Sequence, residues 1–263
     1  MIEPVHTTRL VLDTVDFDVV WERLRLGPTP VALRVRSPGR THAERREIVA
    51  AGWEGLRARG LAGPSGPHPE LVRLLHLLAR PSRQVELRAW WGSSVRAVAA
   101  GHPGTGVLAV RRESTVVLEP CGSLPTALLG VLPAAPAGPG RATTLPTAVL
   151  TAALAARGEA GLRAALVARD LPPADAGLLT RMLEGAERRA QIVALATDRW
   201  GVLRRLPRVV GVLEATRGRY LLTRTTTEDG VEWSTVTPTD DRRLRHRVGE
   251  LLDEAAAVAA AEP

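Results

Sequence analysis

Neither lysine nor asparagine occurs in the 263 residues, and cysteine, phenylalanine and tyrosine occur once each. The 35 Lys-or-Arg positions are therefore all arginine, a bias that reports nucleotide composition rather than function. Cys121, being alone, excludes an internal disulfide, and its neighbours offer no metal-ligand spacing, so it reads as a small buried hydrophobe. The six histidines, His6, His42, His68, His76, His102 and His246, are scattered and none stands at i, i+4 to another, so no metal set is expected. The glycine-rich run Gly101-His102-Pro103-Gly104-Thr105-Gly106 is followed by no lysine and offers no helix start, and reads as a β-turn rather than a phosphate loop. There is no nucleophile elbow and no acid and base paired by spacing, so the sequence nominates no catalytic residue and no cofactor. No apolar run approaches the roughly 18 to 20 residues of a membrane helix. Met1-Ile2-Glu3-Pro4 lacks the basic start and apolar block of a signal peptide, so the expected location is the cytoplasm.

What is present suits a globular chain. With 45% apolar and 24% charged residues it can bury the core of one large domain or two small ones. The formal charge of +7 raises nucleic-acid binding as an alternative function. Between positions 199 and 224 lie seven arginines (Arg199, Arg204, Arg205, Arg208, Arg217, Arg219, Arg224) and one acid, Glu214. A phosphate-binding stripe would look like this, ideally interleaved with aromatics, but only Trp200 and Tyr220 are near. A second cluster, Arg242, Arg243, Arg245 and Arg247, has Asp240, Asp241, Glu250 and Asp253 within reach as helix-surface partners.

The chain also resembles itself. Gly106-Val107-Leu108-Ala109-Val110-Arg111-Arg112 returns as Gly211-Val212-Leu213-Glu214-Ala215-Thr216-Arg217, and Thr115-Val116-Val117-Leu118 returns as Tyr220-Leu221-Leu222-Thr223, both at an offset of 105 residues. Such spacing points to one fold built from two similar halves, although two hairpins sharing apolar alternation would also match. The first half reads as a strand at 9–12, a helix at 16–26, a strand at 30–35 and a helix from the capping box Thr41/Glu44 to about 60. A helix beginning at Pro69 is stopped by Pro81, and strands follow at 84–91, 95–100, 106–111 and 115–119. The Pro/Gly/Ala segment 133–140 reads as a hinge. Beyond it come helices at 145–156, 159–169 and 173–188, strands at 190–197, 209–215, 220–225 and 231–236, and a helix capped by Thr239. In that last helix Leu244, Val248, Leu251, Ala255 and Val258 form a stripe that must lie against something.

Trp90 and Trp91 form the most suggestive pair. Successive strand side chains point to opposite faces, so one indole looks away from whatever the other packs on. Either helices cover both faces, or one face is open as an apolar docking surface, a task to which Trp is suited.

Several segments together resemble a known family. Trp21-Glu22-Arg23-Leu24, Pro30-Val31-Ala32-Leu33, Glu44-Arg45, the helix end Gly55-Leu56-Arg57-Ala58-Arg59-Gly60-Leu61, Pro69-Glu70-Leu71, Leu78-Ala79-Arg80-Pro81 and Val85-Glu86-Leu87-Arg88 are similar, in this order, to the EspG family of actinobacterial type VII (ESX) secretion-associated proteins. The resemblance spans almost the full length and implies a single α+β domain over 1–263. Its expected form is a central, largely antiparallel β-sheet flanked by two helical bundles, with quasi-two-fold halves 1–132 and 141–263 joined by the linker 133–140. It also implies a cytosolic chaperone without catalytic activity, which covers the apolar tip of a PE/PPE-like or WXG100-like helical pair and keeps it competent for export. Carried onto this chain, the family's contact regions imply partner-binding residues at Trp90, Trp91, Gly92, Ser93 and Ser94, at Val209, Val210 and Leu213, and at Leu244 and Val248. The short loop at 92–94 and the arginine-rich hairpin depart from the better-known members of the family.

Overall fold

A computed structural model describes residues 9–156 and 158–261. The first half runs β1 (Leu10–Asp13), α1 (Thr14–Arg23), α2 (His42–Ala58), the small hairpin β2 (Ala62–Gly63) and β3 (Gly66–Pro67), α3 (Pro69–Ala79), then β4 (Arg83–Trp90), β5 (Ser94–His102), β6 (Thr105–Arg112), β7 (Thr115–Cys121) and α4 (Leu124–Leu129). The second runs β8 (Thr143–Pro146), α5 (Thr147–Leu154), α6 (Gly158–Val167), α7 (Pro173–Leu183), β9 (Arg188–Thr197), β10 (Leu203–Arg205), β11 (Val210–Ala215), β12 (Gly218–Thr226), β13 (Glu232–Pro238) and α8 (Asp241–Ala261). Local chemistry sets the helix starts. Asp13 and Thr41 accept from the amides of Asp16 and Glu44, while Glu44 Oε2 accepts from the Arg40 amide at 2.7 Å. Pro69 occupies the first turn of α3, where its missing N–H costs nothing.

Eleven strands join in one antiparallel sheet, ordered β1-β7-β6-β5-β4-β9-β11-β12-β13-β8, with β10 sharing an edge of β9 with β11. From the β4–β9 junction outward, β4-β5-β6-β7-β1 mirrors β9-β11-β12-β13-β8, and each half orders its elements as edge strand, helices, meander, closing helix. The 105-residue offset does not follow this symmetry. It aligns β6 and β7 with β11 and β12, whereas the sheet places β11 opposite β5 and β12 opposite β6. The extra strand β10 displaces the alignment of the later strands by one position.

Alternation divides the strands between two faces. On one, Val85, Leu87, Ala89, Ile192, Ala194, Val210 and Val212 meet α4 and α8 in the largest core cluster. On the other, Val98, Val107, Ala109, Val116 and Leu118 meet α1, α2 and α3, while Leu145, Tyr220 and Val236 meet α5, α6 and α7. Both bundles thus stand on the same face. Arg45 ties α2 to Asp18 of α1 at 2.7 Å and to Glu22, and Arg59 reaches Asp16.

The expected strand at 30–35 is a turn, with Ala32 and Leu33 fully buried. Its carbonyls are satisfied by side chains instead of a neighbouring strand: Arg111 Nη1 donates to Leu33 O at 2.7 Å and Arg34 O at 2.6 Å, and Arg96 Nη1 to Ala32 O at 3.2 Å. The helix expected from 145 begins at Thr147, because residues 143–146 pair with β13 as an edge strand. Nor is 133–140 a free hinge. The Gly138 amide donates to Arg219 O at 3.2 Å, the Arg219 amide to Pro136 O at 2.9 Å, and Tyr220 Oη to Pro139 O at 3.0 Å. Glycine is required here by close approach, since a Cβ on Gly138 would stand 2.2 Å from the Tyr220 ring.

Beside that staple lies Arg219, 1% exposed. Its guanidinium donates to Glu214 Oε1 at 2.5 Å, to Asp241 at the start of α8 and to the Pro133 carbonyl, and Nε has no partner among the described residues. Breaking a buried ion pair from one side strands the other charge, so Arg219→Ala should cost about 3 to 5 kcal/mol in urea unfolding. Arg217→Ala, two residues away and exposed, should stay within about 0.5 kcal/mol.

Candidate docking surface

The two bundles cover the outer strands of their shared face and leave the central strands to provide the surface between them. β4 presents Gln84, Glu86, Arg88 and Trp90 to that face, and β9 presents Arg189, Gln191, Val193 and Leu195 in register beside them. One end of the strip is closed: Gln84 and Glu86 are buried, and Gln84 Nε2 donates to Glu86 Oε1 at 2.8 Å. Burial pushes the Glu86 carboxyl above the ordinary carboxylate range, against the opposing pull of Arg88, Gln84 and Arg205. The other end is open. Trp90 is 50% exposed, and Arg88, Arg189 and Gln191 are exposed beside it.

Register extends this surface sideways. Trp90 lies level with Arg189 and Leu213, and Arg88 with Gln191, Gly211 and Leu222. At about 4.8 Å per strand the span from β4 to β11 is about 10 Å. A cleft of about 580 Å³ follows, lined by Gln191, Pro207, Val209, Gly211, Leu222 and Arg224 among others. Gly211 keeps its floor low, since a Cβ there would stand 3.1 Å from the Leu222 Cβ. Around Trp90 the strip thus mixes apolar surface from Val209 and Leu222 with the exposed arginines Arg88, Arg189 and Arg224. Burial, then the neighbouring Arg34, Arg88 and Arg111, lower the Arg96 guanidinium, which marks how densely positive charge is gathered on this side. No group of three or more His, Cys, Asp or Glu that could hold a metal occurs among the described residues. Cys121 sits away from the strip at the end of β7, its thiol pushed up to about 11 by burial.

The expected partner-binding residues separate into groups. Trp90 faces the open strip, and Gly92, Ser93 and Ser94 are exposed at the adjoining hairpin tip. Trp91 turns the other way: it packs half-buried against the core under α4 and α8, and its Nε1 donates to Glu214 Oε2 at 3.0 Å. Val209 lines the cleft, and Leu213 is half-buried against the core beneath α5–α7. Val210, Leu244 and Val248 require correction. All three are fully buried, because the stripe of α8 lies on the opposite face of the chain's own sheet and Val210 packs beneath it. Arg88, Arg189, Gln191, Leu222 and Arg224 were not anticipated. Their signal was the alternation of β4 itself, since Gln84, Glu86, Arg88 and Trp90 on one face of a central strand mark a face that helices do not fully cover.

The arginine-rich stretch 199–224 does not form a continuous phosphate stripe. Arg204 pairs with Asp198 at 2.9 Å, Arg208 with Glu254 at 3.0 Å, Arg224 with Glu232 at 3.6 Å, and Arg219 is buried. Of the acids near the second cluster, Glu250 pairs with Arg247, whereas Asp241 and Asp253 turn to Arg219 and Arg83.

An α+β protein whose two same-face helical bundles frame an open strip of central sheet has the form of a docking platform. The chain belongs to the EspG family, whose profile matches residues 13–250. A similar solved structure is the Mycobacterium tuberculosis type VII secretion system chaperone EspG5 in complex with the PE25-PPE41 dimer, at 15% identity and a TM-score of 0.73, covering 94% of this chain and 96% of that one. At that identity the likeness establishes the fold. No curated protein matches by sequence.

The two adjacent indoles should separate cleanly in stability measurements. Trp91→Ala removes core packing and leaves Glu214 without its indole partner, and should cost about 2 to 4 kcal/mol in urea unfolding. Trp90→Ala should cost under about 1 kcal/mol.

Proposed function

We propose that this protein acts as a chaperone for a type VII secretion system. It holds a PE/PPE-type or WXG100-type helical pair in the cytosol, covering the pair's apolar tip with the open strip between the bundles. The observation that carries this reading is Trp90: a large indole left 50% exposed on a central strand, framed by helices on both sides. An uncovered apolar tip of more than a few hundred Å² is an aggregation hazard, and a cover of about 800 Å² per partner is a standard stable interface. Family membership and the fold shared with EspG5, whose structure is in complex with the PE25-PPE41 dimer, support it. The site offers shape, apolar area and positive charge, and the proposed task requires no bond to be made or broken.

Binding energy in such an interface concentrates on a few desolvated aromatic and arginine anchors. Co-expression with a PE/PPE-like pair from the same genome should give a three-chain complex that survives size-exclusion chromatography. In titrations Trp90→Ala should weaken that complex about 10- to 30-fold while the free protein unfolds as the parent does. A parent protein that captures no such pair, or a Trp90→Ala variant that binds as tightly, would overturn the assignment.

A further inference from the structure

A second tryptophan is displayed on a different part of the molecule. The β4–β5 hairpin carries Trp90 and Trp91, and the β9–β10 hairpin carries Trp200 at its tip. Because β4 and β9 are antiparallel neighbours, the two tips lie at opposite ends of the sheet. Trp200 is 71% exposed, more than Trp90. The loop that holds it is closely tied. Asp198 Oδ1 accepts from the amides of Trp200 and Val202, both at 2.9 Å, its Oδ2 accepts from Arg204 Nε at 2.9 Å, and the Asp198 amide donates to Val202 O at 2.9 Å. Gly201, at φ +78°, supplies the left-handed turn that closes the loop.

The loop stands at the end of a groove. Val202, Leu203, Leu206 and Pro207 on one side and Ala255 and Val258 of α8 on the other enclose about 470 Å³. Val202 and Val258 are 46% and 42% exposed, so an apolar floor faces outward beside the indole. Its margin is basic: the Arg199 guanidinium lies 5.0 Å over the Trp200 ring, and Arg204 and Arg205 line the groove. The nearby acids are already engaged, Asp198 by the loop, Asp253 by Arg83 and Glu254 by Arg208.

We infer that the Trp200 hairpin and the C-terminal turns of α8 form a second docking site, whose occupant is an acidic peptide segment bearing an apolar side chain. The apolar side chain would enter between Val202 and Val258, with carboxylates meeting Arg199. A pre-ordered loop loses little entropy on binding, which favours a rigid aromatic anchor at this position. Charge complementarity selects the acidic occupant, since guanidiniums around a partly desolvated groove repel basic segments and hydrogen-bond carboxylates. This site does not depend on the client-binding strip.

Two fluorescein-labelled 12-residue peptides test it by anisotropy on the full chain. One alternates Glu with Leu and Phe, and the other replaces every Glu by Gln. The acidic peptide should bind, weaken at least 10-fold with Trp200→Ala or Arg199→Glu, and change less than about twofold with Trp90→Ala. The Gln peptide should bind at least 10-fold more weakly. Equal binding of both peptides, no binding of the acidic one at millimolar protein, or loss through Trp90→Ala in place of Trp200→Ala would overturn the site. A dimer in sedimentation velocity that Trp200→Ala dissolves would assign the groove to a second copy and equally overturn it. Trp200→Ala should melt with the parent, since the indole is exposed.

Discussion

A buried guanidinium organises this molecule. Moving Arg219 out of water costs several kcal/mol unless its donors are met, and its two terminal nitrogens are met from three separate elements: Glu214 on β11, Asp241 at the first turn of α8, and the Pro133 carbonyl at the start of the inter-half segment. The backbone of the same residue pairs with that segment through Pro136 and Gly138. One residue therefore fixes where the first half ends, how β12 begins and where α8 starts. Glu214 then accepts from the Trp91 indole with its second oxygen. The network reaches across the sheet to the β4–β5 hairpin and holds Trp91 toward the α8 side, leaving Trp90 to the open strip.

The open strip follows from where the halves meet. Each bundle buries its apolar stripes against the outer strands of its own half, so a gap between bundles falls at the β4–β9 junction. Whether both faces would be open there depends on the closing helices, and these differ. α4 has 6 residues and α8 has 21. α8 crosses the central strands on the far face and buries Leu244, Val248, Leu251 and Ala255 against them. Only the bundle-framed face retains an uncovered centre, and Trp90 sits at its open end.

Most of the elements were legible because period and punctuation agree. The Thr41/Glu44 box, Pro69 and Pro81 mark the ends of α2 and α3, and short apolar runs between turn signals mark β4–β7. Failures occurred where an interaction between distant residues decides the outcome. Pro30 to Val35 has the composition of a strand, yet Arg96 and Arg111, more than sixty positions away, take its carbonyls. The 133–140 segment has the composition of a hinge, yet Arg219 and Tyr220 pin it. Periodicity also shows that the α8 stripe must be covered without showing by what; this chain's own sheet covers Leu244, Val248, Leu251 and Ala255 and leaves Val258 exposed. The arginine surplus at 199–224 was local in sequence, but besides Asp198 and Glu214 its neutralising acids arrive from α8 and β13.

The absence of lysine has structural consequences even if nucleotide composition caused it. A guanidinium is more weakly hydrated than an ammonium and offers five donors in a rigid plane, so it is less costly to bury and can satisfy several acceptors at once. Arg219 depends on that geometry to meet two carboxylates and a carbonyl, while Arg111 reaches two successive carbonyls of a turn from one nitrogen. A lysine at position 219 would leave acceptors unmet in a buried setting. The same planarity lets Arg199 lie over the Trp200 ring while keeping its charge exposed to solvent. Exposed arginine stands beside exposed tryptophan at both ends of the central sheet, Arg189 next to Trp90 and Arg199 over Trp200. The surplus positive charge is thus placed where a partner with apolar and acidic groups would meet it.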